Sequence, residues 1–439
     1  MIDRRSLLAG AAALGASAAP ALARAARATA SPEFPKGFLW GASTAPHQIE
    51  GNNTASDLWY LEHQQPTVFK EPSGDAANSF LLWEQDLDLA RGIGLNAYRF
   101  GVEWARIEPA KGQFSQAMID HYARIVDGCR ARALTPVVTF SHFSAPLWFS
   151  AQGGWSNPES ADLFARYAEK VARAIGDRIH AAITFNEPNI MLLLQNANVP
   201  AELWKIEKLT LETAAKRLGV PRFLSANVAG LDDLPDLQKG LLAAHKAGRA
   251  AIKAAAPHLP VGLSLAMMDD QAVGRNSLRD ARRQQMYGAW LDVAKGDEFL
   301  GVQNYERALW GPQGRLPAPA DAVRNWSGSE VYAPSLAGAV RYAHQATGVP
   351  ILVSEHGVGT DDDTVRAALI PAALRDLNHA IDDGVPVMGY CHWSLIDNFE
   401  WVFGYKPKFG LASYDPVTFA RTPKPSAAVL GSIARANRV

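Results

Sequence analysis

The chain has 439 residues, of which 48% are hydrophobic and 20% are charged, and its formal net charge is −1. This composition is typical of a globular protein, and the near-zero charge argues against binding to nucleic acid or to an anionic membrane surface. Two cysteines, Cys129 and Cys391, are too few for a disulfide framework. We expect both to be buried thiols, with a single bridge between them as the alternative.

Residues 1–30 have the pattern of an export signal. Arg4 and Arg5 form a twin-arginine pair, an Ala-, Leu- and Gly-rich stretch covers residues 7–23, and Ala-Leu-Ala at 21–23 is a small-x-small cleavage site. We predict removal of residues 1–30 and a periplasmic or secreted protein. The alternative is a membrane anchor, which the short, Ala-rich apolar stretch disfavours.

Eight short runs of β-branched and aromatic residues alternate with longer segments of helical periodicity after Ser31. Strands that alternate with helices indicate parallel βαβ units, and eight units with continuous apolar strands indicate an α/β fold of the closed (β/α)8 TIM-barrel type. We predict one domain, residues 31–439, with extended βα loops, because segment 191–235 is too long for an ordinary connection. The predicted strands are residues 37–43, 97–104, 136–142, 181–187, 261–266, 299–305, 350–355 and 386–394.

Polar side chains lie where these predicted strands end. Arg99 lies in the second strand, His142 ends the third, Glu187 the fourth, Tyr305 the sixth and Glu355 the seventh. In a TIM barrel, the carboxyl ends of the strands meet at one rim, where the chemistry takes place. Any one carboxylate could be a structural ion pair at a loop edge, but the five together predict an active site.

Several sequence strings carry a family resemblance. FLWGAS at 38–43, QIEG at 48–51, YRF at 98–100, TFNEPN at 184–189, DNFEW at 397–401 and FGL at 409–411 follow one another in order. In these strings the chain resembles glycoside hydrolase family 1, the β-glucosidase family, and the resemblance covers nearly the whole mature chain, from Phe38 to about Pro425. The resemblance implies a retaining exo-β-glycosidase that needs no metal and no cofactor, and whose partner is a small glycoside or oligosaccharide.

The resemblance also implies the catalytic roles. Glu355 would be the nucleophile and Glu187 the general acid/base, on carboxyl groups that lie only about 5 to 5.5 Å apart in retaining enzymes. Arg99 and Tyr305 would stabilise the ionised form of Glu355. Asn186 would bind the sugar 2-hydroxyl group.

The resemblance likewise implies a sugar-binding group. Gln48, His142 and Glu400 would hydrogen-bond the hydroxyl groups, and Trp393 and Trp401 would supply a platform and a wall. Trp393 could instead be a core residue, and His142 a structural histidine. Because Glu400 and Trp401 stand where relatives that cleave 6-phosphorylated sugars carry a phosphate cradle, we expect an unphosphorylated glucoside or a close relative such as a galactoside or fucoside.

Some positions depart from the family pattern. His356 follows the nucleophile where asparagine is usual, Phe143 follows His142 where tryptophan is usual, and Gln303-Asn304-Tyr305 replaces Asn-Tyr-Tyr. The segment after Asn189 lacks the usual Gly-rich stretch that helps to build the aglycone side. A transglycosylase on the same machinery is therefore an alternative function, and a sugar-binding homologue without catalysis is a weaker one, because both glutamates are present.

The sequence carries no recognised metal or cofactor motif. The sequence has no HExxH, no CxxC and no P-loop. The run Asp361-Asp362-Asp363 could suggest calcium, but it lacks the spacing of an EF-hand loop, and we expect a solvated loop there. We expect no nucleic-acid partner and no stable membrane anchor.

Overall fold

The computed structural model describes residues 33–197 and 199–439. Eight parallel strands close into a barrel in which each strand pairs with its neighbours in sequence and β8 pairs with β1. The TIM-barrel prediction is confirmed, and each predicted strand overlaps an observed one. The barrel strands are β1 (Leu39–Ser43), β2 (Ala97–Gly101), β3 (Thr135–Ser141), β4 (Ala181–Asn186), β5 (Val261–Ala266), β6 (Leu300–Asn304), β7 (Ile351–His356) and β8 (Val387–Trp393).

Helices surround this barrel and decorate its upper rim. The long segment after β4 contains the helices Ile190–Asn196 and Ala201–Leu218. Short strands Asp269–Ala272, Arg307–Gly311 and Gly314–Leu316 form a small sheet, and Ala412–Tyr414 pairs with Arg421–Pro423. The other α-helices are Pro46–Ile49, Asp57–Glu62, Ser79–Ile93, Trp104–Ile107, Gln116–Ala131, Leu147–Ser150, Ser160–Ile175, Leu234–Ala255, Arg279–Arg283, Ala289–Ala294, Ser335–Thr347, Asp363–Asp382 and Pro425–Ala436.

The strand register brings the upper strand ends together. Ser43 at the end of β1 is opposite both Arg99 on β2 and Trp393 on β8, and Glu355 on β7 is opposite Gln303 on β6. The pairing of β7 with β6 is irregular just before Glu355, and that of β4 with β5 just before Asn186. Such irregularities re-aim side chains beside active sites.

Apolar side chains fill the lower part of the barrel. Leu39, Ala97, Phe299 and Leu352 belong to one small cluster of fully buried or nearly buried residues. Because side chains alternate along a strand, Ala97 in this layer places Arg99 on the same side, one layer higher. The barrel interior is thus apolar below and polar at the top.

Both cysteines are free and buried, Cys129 in the helix Gln116–Ala131 and Cys391 in β8. Burial raises the pKa of each thiol to about 12. The expected buried thiols are confirmed, and no bridge joins them. In the part of the chain that the structure describes, no helix is long and apolar enough to cross a membrane.

Candidate active site

Glu355 is held by a donor on each of its two carboxylate oxygens. Arg99 Nη1 donates to Oε1 at 2.6 Å, and the Tyr305 hydroxyl group donates to Oε2 at 2.6 Å. The Arg99 and Glu355 side chains are 0% and 4% exposed. Charge-assisted hydrogen bonds of this length fix a carboxylate firmly. The carboxylate of Glu355 therefore has one defined orientation.

The electrostatics of this contact favour the ionised carboxylate. Burial raises the pKa of Glu355 above its usual value, and the Arg99 guanidinium and the hydrogen bonds from Tyr305 and Arg99 offset this rise in part. The hydrogen bonds act in this direction because both donors bind the charged form more strongly than the neutral form.

Glu187 lies one residue beyond β4, at a bend in the chain. Its φ angle is +43°, in the left-handed region that a side chain with a Cβ seldom adopts. The bend is held because the Glu187 N–H donates to the Ser264 carbonyl oxygen at 2.8 Å, and its own carbonyl oxygen accepts from Ile190 N at 3.0 Å. Backbone strain of about 1 to 3 kcal/mol at functional sites is a recurrent observation.

The surroundings of Glu187 favour its protonated form. Burial and the negative charge of Glu355 raise the pKa of Glu187 well above its usual value, and Arg99 opposes this only in part. Arg99 and Tyr305 both bind Glu355 instead. The hydrogen-bond donors therefore favour the ionised form of Glu355 over that of Glu187, which is the arrangement that acid catalysis beside a nucleophile requires.

The amide of Asn186 is oriented by two donors. Its Oδ1 accepts from Arg99 Nη2 at 2.6 Å and from Gln303 Nε2 at 2.5 Å. Because the oxygen of this amide is engaged by two donors, its NH2 group is the part that can donate to a ligand. Gln303 had no predicted role, and only its place opposite Glu355 in the barrel reveals one.

A second cluster of polar groups surrounds Glu400 in the loop after β8. Gln48 Nε2 donates to Asn398 Oδ1 at 2.9 Å, to the Phe399 carbonyl oxygen at 2.7 Å and to Glu400 Oε2 at 3.4 Å. Trp393 Nε1 donates to Glu400 Oε1 at 3.3 Å. Burial raises the pKa of Glu400 to about 8. Gln48 Oε1 is buried and has no hydrogen-bond partner among the described residues, which leaves it able to accept from a ligand hydroxyl.

Aromatic rings complete this cluster. The His142 ring lies 5.8 Å from Trp393 at an angle of 28°, and 5.9 Å from Trp401 at 25°. Phe143 meets Trp401 edge-on at 5.1 Å. Burial lowers the pKa of His142 well below its usual value, so the ring is neutral, and His142 Nδ1 is buried without a partner within the described chain.

His356, the unusual residue after the candidate nucleophile, enters a buried hydrogen-bonded chain. Its Nδ1 lies 3.0 Å from the Tyr390 hydroxyl group, which lies 3.1 Å from His392 Nδ1. Burial lowers the pKa of His356 to about 3, so its ring is neutral. Tyr390 is thus the polar partner of His356, and His392 is the second partner of the Tyr390 hydroxyl group.

The Asp361–363 run caps a helix. Asp362 accepts from Thr364 N at 3.0 Å at the start of the helix Asp363–Asp382. Asp363 accepts from Ser426 N at 2.8 Å and pairs with Arg366. Asp362 is exposed and Asp363 is partly buried, so a solvated loop describes only the first part of the run. Within residues 33–197 and 199–439, no group of three or more His, Cys, Asp or Glu side chains could hold a metal ion.

The sequence-predicted site residues all lie at the upper rim of the barrel. They fall into two linked groups, one around Glu355 and one around Glu400. Gln303 and His47, for which the sequence predicted no role, contact members of these groups. The predicted residues are Gln48, Arg99, His142, Asn186, Glu187, Tyr305, Glu355, Trp393, Glu400 and Trp401.

A TIM barrel that carries two buried carboxyl groups at its rim, one of them bound by an arginine and a tyrosine, with amides and indoles beside them, has the features of a glycoside hydrolase. The model of the family described as Glycosyl hydrolase family 1 matches residues 30–200 and 324–439. The chain belongs to this family and is a glycoside hydrolase. Residues 201–323, which contain the extra helix Ala201–Leu218, lie outside the match.

Individual relatives extend over almost the whole chain. The β-glucosidase of Agrobacterium sp. (strain ATCC 21400) is 31% identical, with 91% of this chain and 94% of that protein covered. The solved structure of a β-glucosidase designated 1317 is 40% identical with a TM-score of 0.88, covering 91% of this chain and 98% of that one. The β-glycosidase from Pyrococcus horikoshii is 30% identical with a TM-score of 0.78, covering 93% and 96%.

Proposed function

We propose that this protein is a retaining exo-β-glycosidase that hydrolyses terminal, unphosphorylated β-D-glucosides or close relatives by double displacement. The observation that carries the proposal is the contrast between two carboxyl groups on one rim. Glu355 is bound on both oxygens at 2.6 Å by Arg99 and Tyr305, whereas burial and the charge of Glu355 raise the pKa of Glu187 well above its usual value.

In the first step, a Glu355 oxygen attacks the anomeric carbon and the bond to the leaving oxygen breaks. Glu187 gives its proton to that oxygen, so the leaving group departs as a neutral alcohol. Asn186 donates from its NH2 group to the sugar 2-hydroxyl, because its oxygen already accepts from Arg99 and Gln303. The product of this step is a covalent ester between the sugar and Glu355.

Formation of this ester prepares the second step. Once Glu355 is esterified, its negative charge no longer raises the pKa of Glu187. Glu187, now ionised, takes a proton from water while the water oxygen attacks the anomeric carbon. The ester bond breaks, Glu355 leaves as a carboxylate, and Glu187 is again protonated. Two inversions return the sugar with its original β configuration.

The group around Glu400 supports a neutral sugar. Gln48 Oε1 and His142 Nδ1 are buried polar atoms without partners in the described part of the chain, and both suit hydroxyl groups. Residues 400–404 read Glu-Trp-Val-Phe-Gly and contain no cation to neutralise a phosphoryl group. Among the relatives, the curated protein of Agrobacterium sp. bears the name β-glucosidase.

The roles of the two glutamates are tested by azide rescue. We expect Glu355→Gly to lose activity on p-nitrophenyl β-glucoside by roughly 10⁴-fold or more, because the nucleophile is gone. Azide should then restore turnover and give the α-glycosyl azide. Glu187→Ala should give the β-glycosyl azide, because azide attacks the glycosyl-enzyme that this variant still forms.

Glu169→Ala is the matched control, since Glu169 pairs with Arg173 on the outer helix Ser160–Ile175 and should keep full activity. A rescue product of the same configuration in both variants would contradict the assigned roles. A wild type inactive on glucoside, galactoside and fucoside alike would contradict the substrate class. Transfer of the sugar to an added alcohol in preference to water would favour the transglycosylase alternative.

We propose further that residues 1–30 direct export of the protein, folded, to the periplasm or the outside. These residues lie outside those that the structure describes, and the support is the Arg4-Arg5 pair with the apolar stretch 7–23. Replacement of both arginines by lysine should confine activity to the cytoplasmic fraction, whereas Arg24→Lys should leave export intact. Unchanged periplasmic activity in the double variant would contradict the proposal.

A further inference from the structure

His47 stacks against Trp401 at the sugar-binding group. The two rings are nearly parallel, at an angle of 7° with their centroids 6.0 Å apart. His47 precedes Gln48 in the short helix Pro46–Ile49, and Trp401 follows Glu400. Gln48 in turn donates to Glu400 at 3.4 Å. Two neighbouring residues of one turn therefore hold the two neighbouring residues of the loop after β8.

His47 is itself fixed by a buried carboxylate. Its Nε2 lies 2.7 Å from Glu62 Oε1, and both side chains are 0% exposed. The other oxygen of Glu62 accepts from Ser73 N at 2.9 Å and from Ser73 Oγ at 2.8 Å. Because both Glu62 oxygens are engaged, the imidazole ring is anchored to the chain at residues 62 and 73.

The backbone of Trp401 has a conformation that needs support from its surroundings. Trp401 is only partly buried, and its φ angle is +52° in the left-handed region. A residue with a Cβ keeps this conformation only where its surroundings hold it there. The flanking rings of His47, His142 and Phe143 provide those surroundings.

The pKa values of the two histidines beside Trp401 shift in opposite directions. Burial opposes a charged His47, but the nearby carboxylates of Glu62, Glu103 and Asp57 outweigh it and raise the pKa of His47. His142, by contrast, is neutral, because burial lowers its pKa. Asn53 also faces His47 Nδ1, at 3.2 Å through Nδ2, and its buried Oδ1 has no partner within the described chain. A half-turn of the Asn53 amide would let Oδ1 accept from the imidazolium.

We propose that His47, fixed by Glu62, is a positioning residue that sets the plane of the Trp401 ring and thereby the affinity of the site for the sugar. A cation against an indole face is attracted by the ring quadrupole, most strongly where water is excluded. The inference rests on the proposed function, because it requires that Trp401 contacts the sugar of the substrate.

The test is steady-state kinetics of His47→Phe and Glu62→Gln on p-nitrophenyl β-glucoside. We expect His47→Phe to raise KM about tenfold and to leave kcat within about threefold. This pattern is expected because the variant would bind the ground state and the transition state more weakly by the same amount. Glu62→Gln should shift KM in the same direction but less. Glu62→Asp, which restores the charge, should lie between Glu62→Gln and the wild type.

The pH profile separates this role from a merely structural one. The wild-type KM should rise on the alkaline side, where His47 loses its proton, and the KM of His47→Phe should not follow that rise. His63→Phe is the matched control. His63 directly follows Glu62 at the end of the helix Asp57–Glu62 and is exposed, so the KM of this variant should match that of the wild type.

An active wild type together with an unchanged KM in both His47→Phe and Glu62→Gln would overturn the positioning role and leave the proposed function intact. Equal loss of kcat and kcat/KM would also overturn it, because the effect would then lie on the reacting carboxyl groups. If His47→Phe shows no cooperative thermal melt and is therefore unfolded, the KM values of Glu62→Gln and Glu62→Asp test the positioning role without it.

Discussion

At the scale of single residues, Arg99 connects the two halves of the chemistry. Nη1 donates to Glu355 and Nη2 donates to Asn186, each at 2.6 Å, and the side chain is fully buried. The planar guanidinium holds both partners in one fixed geometry, which the single ammonium group of a lysine cannot do. One side chain thus favours the ionised form of the proposed nucleophile and orients the amide that we propose to bind the sugar 2-hydroxyl group.

Tyr305 provides the clearest prediction at this scale. Its hydroxyl group lowers the pKa of Glu355, so Tyr305→Phe should raise that pKa, and Glu355, the proposed nucleophile, will need a higher pH to ionise. We expect the acidic limb of the kcat/KM profile to move to higher pH by roughly one pH unit. The measurement is kcat/KM against pH for the wild type and the variant.

Tyr342→Phe is the control for Tyr305→Phe. Tyr342 lies on the outer helix Ser335–Thr347 with Arg283 3.9 Å above its ring, a contact that phenylalanine retains. Its profile should superimpose on that of the wild type. An acidic limb that stays in place in Tyr305→Phe would show that Tyr305 does not tune Glu355.

At the scale of elements, the outer helices pack closely because two glycines permit it. The helix Leu234–Ala255 presents Gly240 to the Trp155 backbone and Gly248 to the Phe164 ring of the helix Ser160–Ile175. A Cβ atom at Gly240 would overlap the Trp155 carbonyl oxygen. The helix therefore depends on the absence of a side chain at that position.

We predict that Gly240→Ala destabilises the protein by about 1 to 3 kcal/mol, the usual cost of overpacking. Gly92→Ala is the control, because Gly92 is exposed in the helix Ser79–Ile93 and a Cβ there meets nothing within 4 Å. Gly92→Ala should instead stabilise by about 0.5 to 1 kcal/mol, as alanine favours helix. Chemical denaturation of both variants measures the difference, and equal midpoints would contradict the packing argument.

At the scale of the whole molecule, buried carboxyl groups couple stability to pH. Burial raises the pKa of Glu50 to about 7, and those of Glu207 and Glu400 to about 8. Each folded carboxyl holds its proton at a pH where the unfolded chain has lost it. The folded state therefore binds more protons, and stability must fall as the pH rises through these values.

Glu207 isolates this effect, because it lies in the helix Ala201–Leu218 and is 2% exposed. We predict that Glu207→Gln, which stays neutral, matches the wild type at about pH 5 and is more stable by a few kcal/mol at about pH 9. Thermal melts across this range measure it. An equal decline of both proteins with pH would contradict a raised pKa at Glu207.

The sequence by itself determined the architecture and most of the candidate site. Eight apolar runs predict eight strands, and the barrel follows because alternating helices require parallel strands. Once the strands are parallel, residues that end them, such as Glu187 and Glu355, must meet at one rim. The position of these residues at the ends of predicted strands is therefore enough to place them at the same rim, and the exact strand register is not needed for this prediction.

Only the tertiary structure decided which side chains touch and how they ionise. The stacking of His47 on Trp401 and the hydrogen bond of Gln303 to Asn186 join residues far apart in the chain. These contacts depend on strand register, on the irregularities beside Asn186 and Glu355, and on the course of the loop after β8. The raised pKa of Glu400 depends on its burial, which is a property of the whole surrounding fold because desolvation sums over every neighbour.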